Sequence, residues 1–334
     1  MKSWVIAIIL VLVIILSFSA GYFFNTMLNK TPMQNNTTTQ NKTTPYNYTY
    51  VTVIDDLNNI VKIKEPVNRI VSLAPSCTEI AYSIGLGKYI VGDTVYDTYP
   101  PSAKNITKVG GLTNVSVEEV LSLKPNLVLA FGGIYDPNAI QQIENAGIPV
   151  LFMYPENLDG IIHDIFLLGY ATNDLNNATK VINAIENFEN NLNNVVQNIT
   201  NRSTVFYLGW YNPIWTAGEN TFINNMIINA GGINIASFGV GYFIINPENI
   251  VNANPNWIIV SQDQESLLSQ FVNNSMFSNL TAVKLKHFII LPDYYIEEPG
   301  PQLFIGVYEI FVTLYPNLAN KVSPLTINQI YLSS

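Results

Sequence analysis

The chain has 334 residues, of which 48% are hydrophobic and 12% are charged, and its formal net charge is −9. Its one cysteine, Cys77, excludes a disulfide scaffold and any cysteine-based zinc site. The acidic balance argues against a nucleic-acid partner, because phosphate binding needs clustered lysine and arginine. Two histidines leave little basis for a zinc enzyme or a histidine relay.

An apolar run and a polar tract come first in chain order. Residues 4–24 carry no charge and are long enough to cross a bilayer as a helix, and Lys2 favours a cytoplasmic N-terminus. We therefore predict that residues 1–30 form an uncleaved membrane anchor or, if cut near Ser17–Ala20, a signal peptide. Residues 31–50, rich in Thr and Asn, are predicted to be a flexible tether. Both interpretations place the rest of the chain outside the cytoplasm, tethered to the membrane or secreted.

From residue 51 onward, a hairpin around Asp55–Asn59 is followed by short apolar strands that alternate with helical stretches. Strands that are apolar throughout and are each followed by a helix are typical of parallel sheets covered on both faces. A long helical region, broken near Thr172 and Asn173, interrupts this alternation. The predicted fold class is therefore α/β, with two lobes of parallel sheets joined by a long connecting helix. The predicted boundaries are 51–156 for the N-terminal lobe, 157–200 for the connecting helix region and 201–334 for the C-terminal lobe.

An internal repeat indicates that the two lobes are related. The segments 116–129 and 246–259, which lie 130 residues apart, each contain an N-cap residue, a short helix, a Pro-Asn pair and a buried strand. Each segment carries a glutamate, Glu118 or Glu248, at the second helical position. The helix dipole alone explains an acid there. The alternative is a pair of acidic contacts, one per lobe, for a basic partner.

Several motifs resemble one family of binding proteins. The motifs are Arg69–Ile80 (RIVSLAPSCTEI), Tyr99–Pro101, Lys108–Gly111, Leu123–Val128, Ala217–Gly218, Asn229–Asn234 and Pro299–Pro301. In this order and spacing, residues 51–332 are similar to the substrate-binding proteins of ABC importers for iron siderophores, haem and vitamin B12. The resemblance implies that one long helix links two lobes, that the ligand lies in the cleft between them and that no catalysis occurs. It also implies that Glu118 and Glu248 dock onto arginines of the importer permease.

Two positions depart from the family's pattern. Cys77 replaces a small residue, usually Ser or Ala, and is interpreted as a buried apolar side chain. Gln302 stands where an arginine often follows Gly-Pro, which weakens the case for an anion at the C-terminal edge of the cleft.

The candidate ligand-binding residues follow strands of both lobes, because open α/β sheets bind ligands beyond the carboxyl ends of their strands. Tyrosine suits such loops, since it offers a flat apolar face and a polar tip. The candidates are Tyr96, Tyr99, Leu112, Tyr135, Trp210, Tyr211, Tyr242, Phe243, Tyr294 and Tyr295. Of these, Tyr96, Leu112 and Tyr242 match positions that contact the ligand in the vitamin B12 binders. For each aromatic residue, packing in the core is the structural alternative.

The scarcity of arginine bears on the choice of ligand. Arg69 and Arg202 are the only two, and both precede strands, at the sheet ends expected to lie away from the cleft. Because arginine is the usual bidentate partner of carboxylate and phosphate, a corrinoid fits better than an anionic ferric chelate, and haem would need cations for its propionates. His163 and His287 are interpreted as structural, so we predict no metal site, no catalytic residue and no bound cofactor.

Two other classes of function are compatible with these patterns. A chelatase-like or metal-cluster enzyme can use a similar two-lobed fold, but it needs convergent His, Cys or carboxylate ligands. An extracellular interaction domain without a small ligand needs no cleft chemistry. The leading hypothesis is a non-catalytic receptor that delivers an iron complex or corrinoid to an ABC importer permease.

Overall fold

The computed structural model describes residues 49–332, which belong to one compact unit. The predicted anchor or signal peptide, residues 1–30, and nearly all of the tether, residues 31–50, lie outside the described residues. Within residues 49–332, no helix has both the length and the apolar character needed to span a bilayer. The anchor therefore stays a prediction.

The first half of the described chain begins with the predicted hairpin and continues into a parallel sheet. Strands β1 (Tyr50–Ile54) and β2 (Ile60–Lys64) pair antiparallel. The sheet strands are β3 (Ile70–Ser72), β4 (Ile90–Asp93), β5 (Thr107–Lys108), β6 (Leu127–Phe131) and β7 (Val150–Met153). They lie in the order β5-β4-β3-β6-β7 and all pair parallel. Because β6 and β7 are buried along nearly their whole length, the sheet is covered on both faces, as the continuous apolar strands predicted.

The second half repeats this arrangement. Its sheet strands are β8 (Thr204–Tyr207), β10 (Ile233–Asn234), β12 (Trp257–Ser261) and β13 (Phe288–Leu291). They pair parallel in the order β10-β8-β12-β13. The first strand of each sheet, β3 or β8, thus has the next strand of that sheet on one side and a later strand on the other. Strands β9 (Trp215–Ala217) and β11 (Tyr242–Ile244) form a separate antiparallel pair.

Helices cover the sheets and connect the two halves. They are α1 (Pro75–Ser83), α2 (Val117–Ser122), α3 (Pro137–Asn145), α4 (Leu158–Ala171), α5 (Leu175–Val196), α6 (Phe222–Asn229), α7 (Pro247–Ala253), α8 (Glu265–Val272), α9 (Thr281–Leu285), α10 (Leu303–Leu314) and α11 (Ile327–Ile330). The region 157–200 contains two helices, α4 and α5. Asn173 between them has a φ of 58°, a left-handed conformation that does not continue a right-handed helix. The break therefore lies where the sequence predicted it.

The β9–β11 pair and the short helices α8 and α9 were not predicted. The sequence pattern placed Tyr242 and Phe243 in a loop, and this was wrong, because both lie in β11. The three residues of β11 are exposed, half-buried and exposed in turn. A strand this short has too few residues for its alternation to be recognised in the sequence.

The largest apolar core cluster runs through both halves along α5, and each half also has a smaller cluster of its own. The side chains on the buried face of this helix recur at helical spacing. They are Ala178, Val181, Ile185, Phe188, Leu192 and Val196. They belong to one cluster with Ile80 and Leu129 of the first half and with Tyr207 and Phe311 of the second. Since burial of apolar surface is the main favourable term in folding, α5 ties both sheets into one hydrophobic body.

The repeat segments have the same backbone conformation in the two halves. The residue before each Pro-Asn pair, Lys124 or Asn254, has a left-handed φ of 48° or 44°. A following proline disfavours the right-handed helical conformation, so α2 and α7 end at this point. The proline is buried in both halves, and the asparagine directly precedes β6 or β12.

The asparagines of the two repeat segments bind the start of the first strand in each sheet. Asn126 Oδ1 accepts a hydrogen bond from the Arg69 N–H at 3.0 Å, and the Asn126 N–H donates to the Arg69 carbonyl at 2.8 Å. Asn256 Oδ1 likewise accepts from the Thr204 N–H at 2.9 Å, and the Asn256 N–H donates to the Thr204 carbonyl at 3.0 Å. Each asparagine therefore fixes the register between the first strand and its neighbour.

We expect Asn126→Ala and Asn256→Ala each to lower the free energy of unfolding by about 1 kcal/mol, because each removes the acceptor of a strand-end N–H. The double variant should lose the sum, since the two sites lie in separate sheets. Urea unfolding followed by circular dichroism measures these values. The control is Asn252→Ala, which changes an exposed asparagine of α7. Equal losses for Asn252→Ala and Asn256→Ala would contradict the strand-end role.

Candidate functional site

A cavity of about 310 Å³ lies between the two halves, beyond the carboxyl ends of β6 and β7. Phe131 is the last residue of β6, and Tyr154 directly follows β7. From the second half, Phe222 begins α6 and Tyr242 begins β11. The remaining lining residues are Gly133, Ile134, Pro155, Glu156, Asn220, Thr221, Glu297 and Pro299. Open α/β sheets bind their ligands at this position.

Each half contributes one pair of aromatic rings to the walls of the cavity. The rings of Phe131 and Tyr154 lie 5.6 Å apart at an angle of 67°. The rings of Phe222 and Tyr242 lie 6.2 Å apart at 62°. Both pairs have the edge-to-face geometry that stabilises aromatic contacts. The two pairs therefore present apolar ring surface to the cavity from both halves.

The charged groups of the cavity are acidic. Among its lining residues, Glu156 and Glu297 are acids and none is Lys, Arg or His. Glu297 Oε1 accepts hydrogen bonds from the Tyr207 hydroxyl and from Gln264 Nε2, both at 3.1 Å. Burial raises the pKa of Glu297, and the neighbouring Asp263 raises it further. An anionic ligand would therefore meet no cation on these walls, whereas a neutral or cationic ligand meets no repulsion.

A second groove, of about 590 Å³, lies between α4, α5 and α6. Its walls are mostly asparagines and the acids Asp159, Glu186 and Glu189. Burial, with help from Asp159 and Glu186, raises the pKa of Glu189 to about 7. Helix surfaces bound this groove and no strand ends open into it. The cavity between the halves, and not this groove, therefore has the position at which open α/β sheets bind ligands.

A buried carboxyl group links the two halves beside this cavity. Glu79 of α1 is fully buried, and its Oε1 accepts a hydrogen bond from Gln302 Nε2 at 3.2 Å. Burial, together with the nearby Glu298 carboxylate, raises the pKa of Glu79 well above its usual range. Burial also raises the pKa of Glu298 to about 7. The Gln302 amide thus supplies a hydrogen bond across the halves to a carboxyl group whose burial opposes ionisation.

Four tyrosines pack around this link. The rings of Tyr99 and Tyr294 are stacked with centroids 4.8 Å apart, and Tyr331 meets Tyr99 edge-on at 5.6 Å. Tyr295 meets Tyr294 edge-on at 4.8 Å. Burial and the neighbouring Glu79 raise the pKa of Tyr99 to about 12. Three of the candidate ligand residues thus form an aromatic contact between the halves, outside the lining of the cavity.

The other candidate ligand residues are spread over the surface and the core. Of the ten, Tyr242 lines the cavity. Tyr96 and Trp210 are exposed by 55% and 49%, and Leu112 packs partly against the core. Tyr135 packs on Phe152 at 4.9 Å, Phe243 packs on Phe238 at 5.7 Å, and the Tyr211 hydroxyl accepts from Asn274 Nδ2 at 3.0 Å. Ligand contacts for these residues stay predictions.

The ten candidates predicted from the sequence do not include Phe131, Tyr154, Phe222 or Glu297, which line the cavity. Phe131 and Phe222 belong to a predicted strand and a predicted helix, and packing accounts equally well for an aromatic residue in either. Their positions at the end of β6 and the start of α6 were the only available signal. A search for cavity residues should therefore have included the aromatic residues at the ends of strands and helices as well as those in loops.

Glu118 and Glu248 occupy equivalent exposed positions in the two halves. Each is the second residue of its helix, α2 or α7, and its side chain is exposed. The Ser116 side chain accepts a hydrogen bond from the Glu119 N–H, and the Asn246 side chain accepts from the Glu248 N–H. The N-caps predicted from the sequence are confirmed, and both glutamates are exposed to solvent.

Known proteins are similar to this chain in sequence and in fold. The family model described as periplasmic binding protein matches residues 70–295. An uncharacterised ABC transporter substrate-binding lipoprotein of Bacillus subtilis is 32% identical over 273 residues, which are 80% of this chain and 86% of the relative. The vitamin B12-binding protein of Yersinia pestis is 30% identical over 214 residues, which are 64% of this chain and 75% of the relative.

Solved structures show the same architecture. The periplasmic haem-binding protein RhuT of Roseiflexus sp. is similar with a TM-score of 0.69 and 27% sequence identity, over 75% of this chain and 98% of that one. The matched span of the family model includes both parallel sheets and the cavity residues from Phe131 to Tyr242. Because this match covers well over half of the chain, the chain belongs to the periplasmic binding protein family.

Proposed function

We propose that the protein is an extracytoplasmic receptor that binds a small solute in the cavity between its halves and delivers it to an ABC importer permease. The two aromatic pairs at the cavity walls carry this proposal, because they come from different halves and face one space. A ligand bound there contacts both lobes at once. Its binding would favour the closed arrangement, which the permease then meets. The receptor itself performs no chemistry on the solute.

Among the candidate solutes, a corrinoid matches the charge and polarity of the cavity lining better than haem or a ferric chelate does. The lining carries two acids and no base, so the propionates of haem and the anionic groups of a ferric chelate would lack counterions. A corrinoid presents a broad, largely apolar macrocycle with uncharged amide groups, which suit aromatic walls and scattered polar groups. The vitamin B12-binding relative of Yersinia pestis supports this choice, while the haem-binding structure keeps haem as the rival.

The permease contact is proposed for Glu118 and Glu248. Both are exposed, both stand at the start of a short helix, and each half supplies one. A partner with two basic sites at the matching separation would recognise the receptor through charge complementarity, which governs association rate and orientation. A favourable interaction with the helix dipole is enough to explain an acidic residue at each of these positions. What favours a docking role is that the two glutamates occupy equivalent positions in the two halves.

The proposed attachment to the membrane differs from that of the Bacillus relative. A lipoprotein is held by a lipid on a cysteine, whereas the one cysteine here, Cys77, is buried in α1. We therefore propose that residues 1–30 hold the receptor at the outer surface of the membrane as a helix, with residues 31–50 as the tether.

We expect Phe131→Ala and Tyr242→Ala each to weaken the binding of cyanocobalamin about tenfold, because each removes one ring of a wall pair and about 1.4 kcal/mol of contact energy. Titration calorimetry measures the affinity, with haemin titrated in parallel as the rival ligand. Tyr170→Ala, which changes an exposed tyrosine of α4 outside the cavity, is the control. Unchanged affinity in both cavity variants would remove the cavity as the binding site.

We expect the double variant Glu118→Ala, Glu248→Ala to reduce uptake by the importer at least about tenfold while ligand affinity stays unchanged, because the charges act on the permease and not on the solute. Uptake of labelled ligand into vesicles that contain the permease measures the first quantity, and calorimetry measures the second. The matched control is Glu119→Ala with Asn249→Ala, which changes the next exposed position in each helix. A loss of ligand affinity, or normal uptake, would exclude the docking role.

A further inference from the structure

A cluster of three side chains lies on the first half, where the β1–β2 turn meets α4. Asp56 belongs to the turn, and His163 and Asp164 are consecutive residues of α4. One ligand atom from each of the three lies within 4.8 Å of the others. His163 Nε2 is 3.3 Å from Asp56 Oδ1. The cluster lies outside the lining of the cavity.

Asp164 is the unusual member of this cluster. It is fully buried, and no N–H or hydroxyl group of the described residues donates a hydrogen bond to either of its carboxylate oxygens. A buried carboxyl group that is charged and accepts no hydrogen bond is strongly destabilising. For comparison, the buried carboxylate of Asp55, one residue before Asp56, accepts hydrogen bonds from Leu57, Asn59 and Phe152. Asp55 therefore has hydrogen-bond donors around it, whereas Asp164 has only another carboxyl group, that of Asp56, beside it.

From these contacts we infer that Asp56, His163 and Asp164 bind a divalent transition-metal ion, with zinc as the best match. An imidazole nitrogen with two carboxylate oxygens is a donor set that suits Zn²⁺, which commonly takes three protein ligands and one water. The ion would neutralise both carboxylates and supply the partner that Asp164 lacks. The exposed side of His163 leaves a path for the ion and for the water.

The ion would help to hold one wall of the cavity in place, although it does not line the cavity itself. Asp56 Oδ2 accepts a hydrogen bond from the Tyr154 N–H at 2.6 Å, and Tyr154 lines the cavity. A metal at Asp56 thus joins the hairpin, α4 and the residue after β7 into one rigid unit. This role is structural and is independent of which solute the receptor binds.

A proton is the competing occupant. In the absence of a metal, burial and the adjacent Asp56 carboxylate raise the pKa of Asp164 well above its usual range. A neutral Asp164 would then donate a hydrogen bond to Asp56, and the cluster would need no ion. The metal-bound cluster and the protonated cluster differ in their response to added metal, so a metal titration distinguishes them.

The test is a titration of the full-length chain with zinc chloride after treatment with a chelator, followed by calorimetry and by thermal unfolding. We expect one zinc ion to bind per chain and to raise the unfolding temperature. Cobalt(II) in place of zinc should give the visible absorption bands of a low-coordinate site. Because even the loss of an outer-shell partner weakens metal binding about 10–100-fold, Asp164→Asn and His163→Ala should each weaken zinc binding by at least that factor.

The control is Asp159→Asn, which changes an exposed acid in the first turn of the same helix and should bind zinc as the wild type does. His163 is exposed, so His163→Ala keeps the test valid if Asp164→Asn fails to fold. Zinc binding that is absent in the wild type, or equal in all variants, would overturn the metal site. An Asp164→Asn protein that is more stable than the wild type, with no response of either to zinc, would assign the cluster to a shared proton.

Discussion

The continuous apolar core along α5 is the constraint on which the rest of the structure depends. Its buried face contacts residues that support both sheets, so the two halves share one large hydrophobic cluster beside the smaller cluster that each half has of its own. Inside such a core, polar groups are costly unless they are paired. Polar contacts are therefore favoured where strands end and helices begin. The cavity between the halves and the exposed glutamates both lie at such ends.

The architecture could be predicted from the sequence because its signals are local. Apolar runs predicted the buried strands, and Asn173 predicted the break between α4 and α5. The repeated Pro-Asn pairs predicted two equivalent sheets. The β9–β11 pair could not be predicted in this way, because a three-residue strand with two exposed residues carries no recognisable period. This pair nevertheless positions Tyr242, so the missed element is the one that completes the cavity.

The candidate site was harder to predict than the fold, because it depends on which side chains become neighbours. The sequence identified tyrosines in loops, yet Tyr99 and Tyr294 stack on each other between the halves. Phe131 and Phe222, which line the cavity, had the local pattern of core residues. The environment of a charged residue was equally hard to predict: Glu79 resembles an ordinary helix acid in the sequence, whereas it is buried, hydrogen-bonded to Gln302 and has a raised pKa in the structure. Only the tertiary contacts distinguish these cases.

The repeat connects the cavity with the proposed docking surface. In each half, the same segment begins with an exposed glutamate, continues through a left-handed residue and a buried proline, and ends with an asparagine bound to the first strand. The glutamate and the strand are therefore rigidly related through a few residues. Because the shared core joins the two sheets, a change in the angle between them would alter the separation of Glu118 and Glu248. A permease that measures this separation would thereby sense whether the cavity is occupied, without contacting the solute.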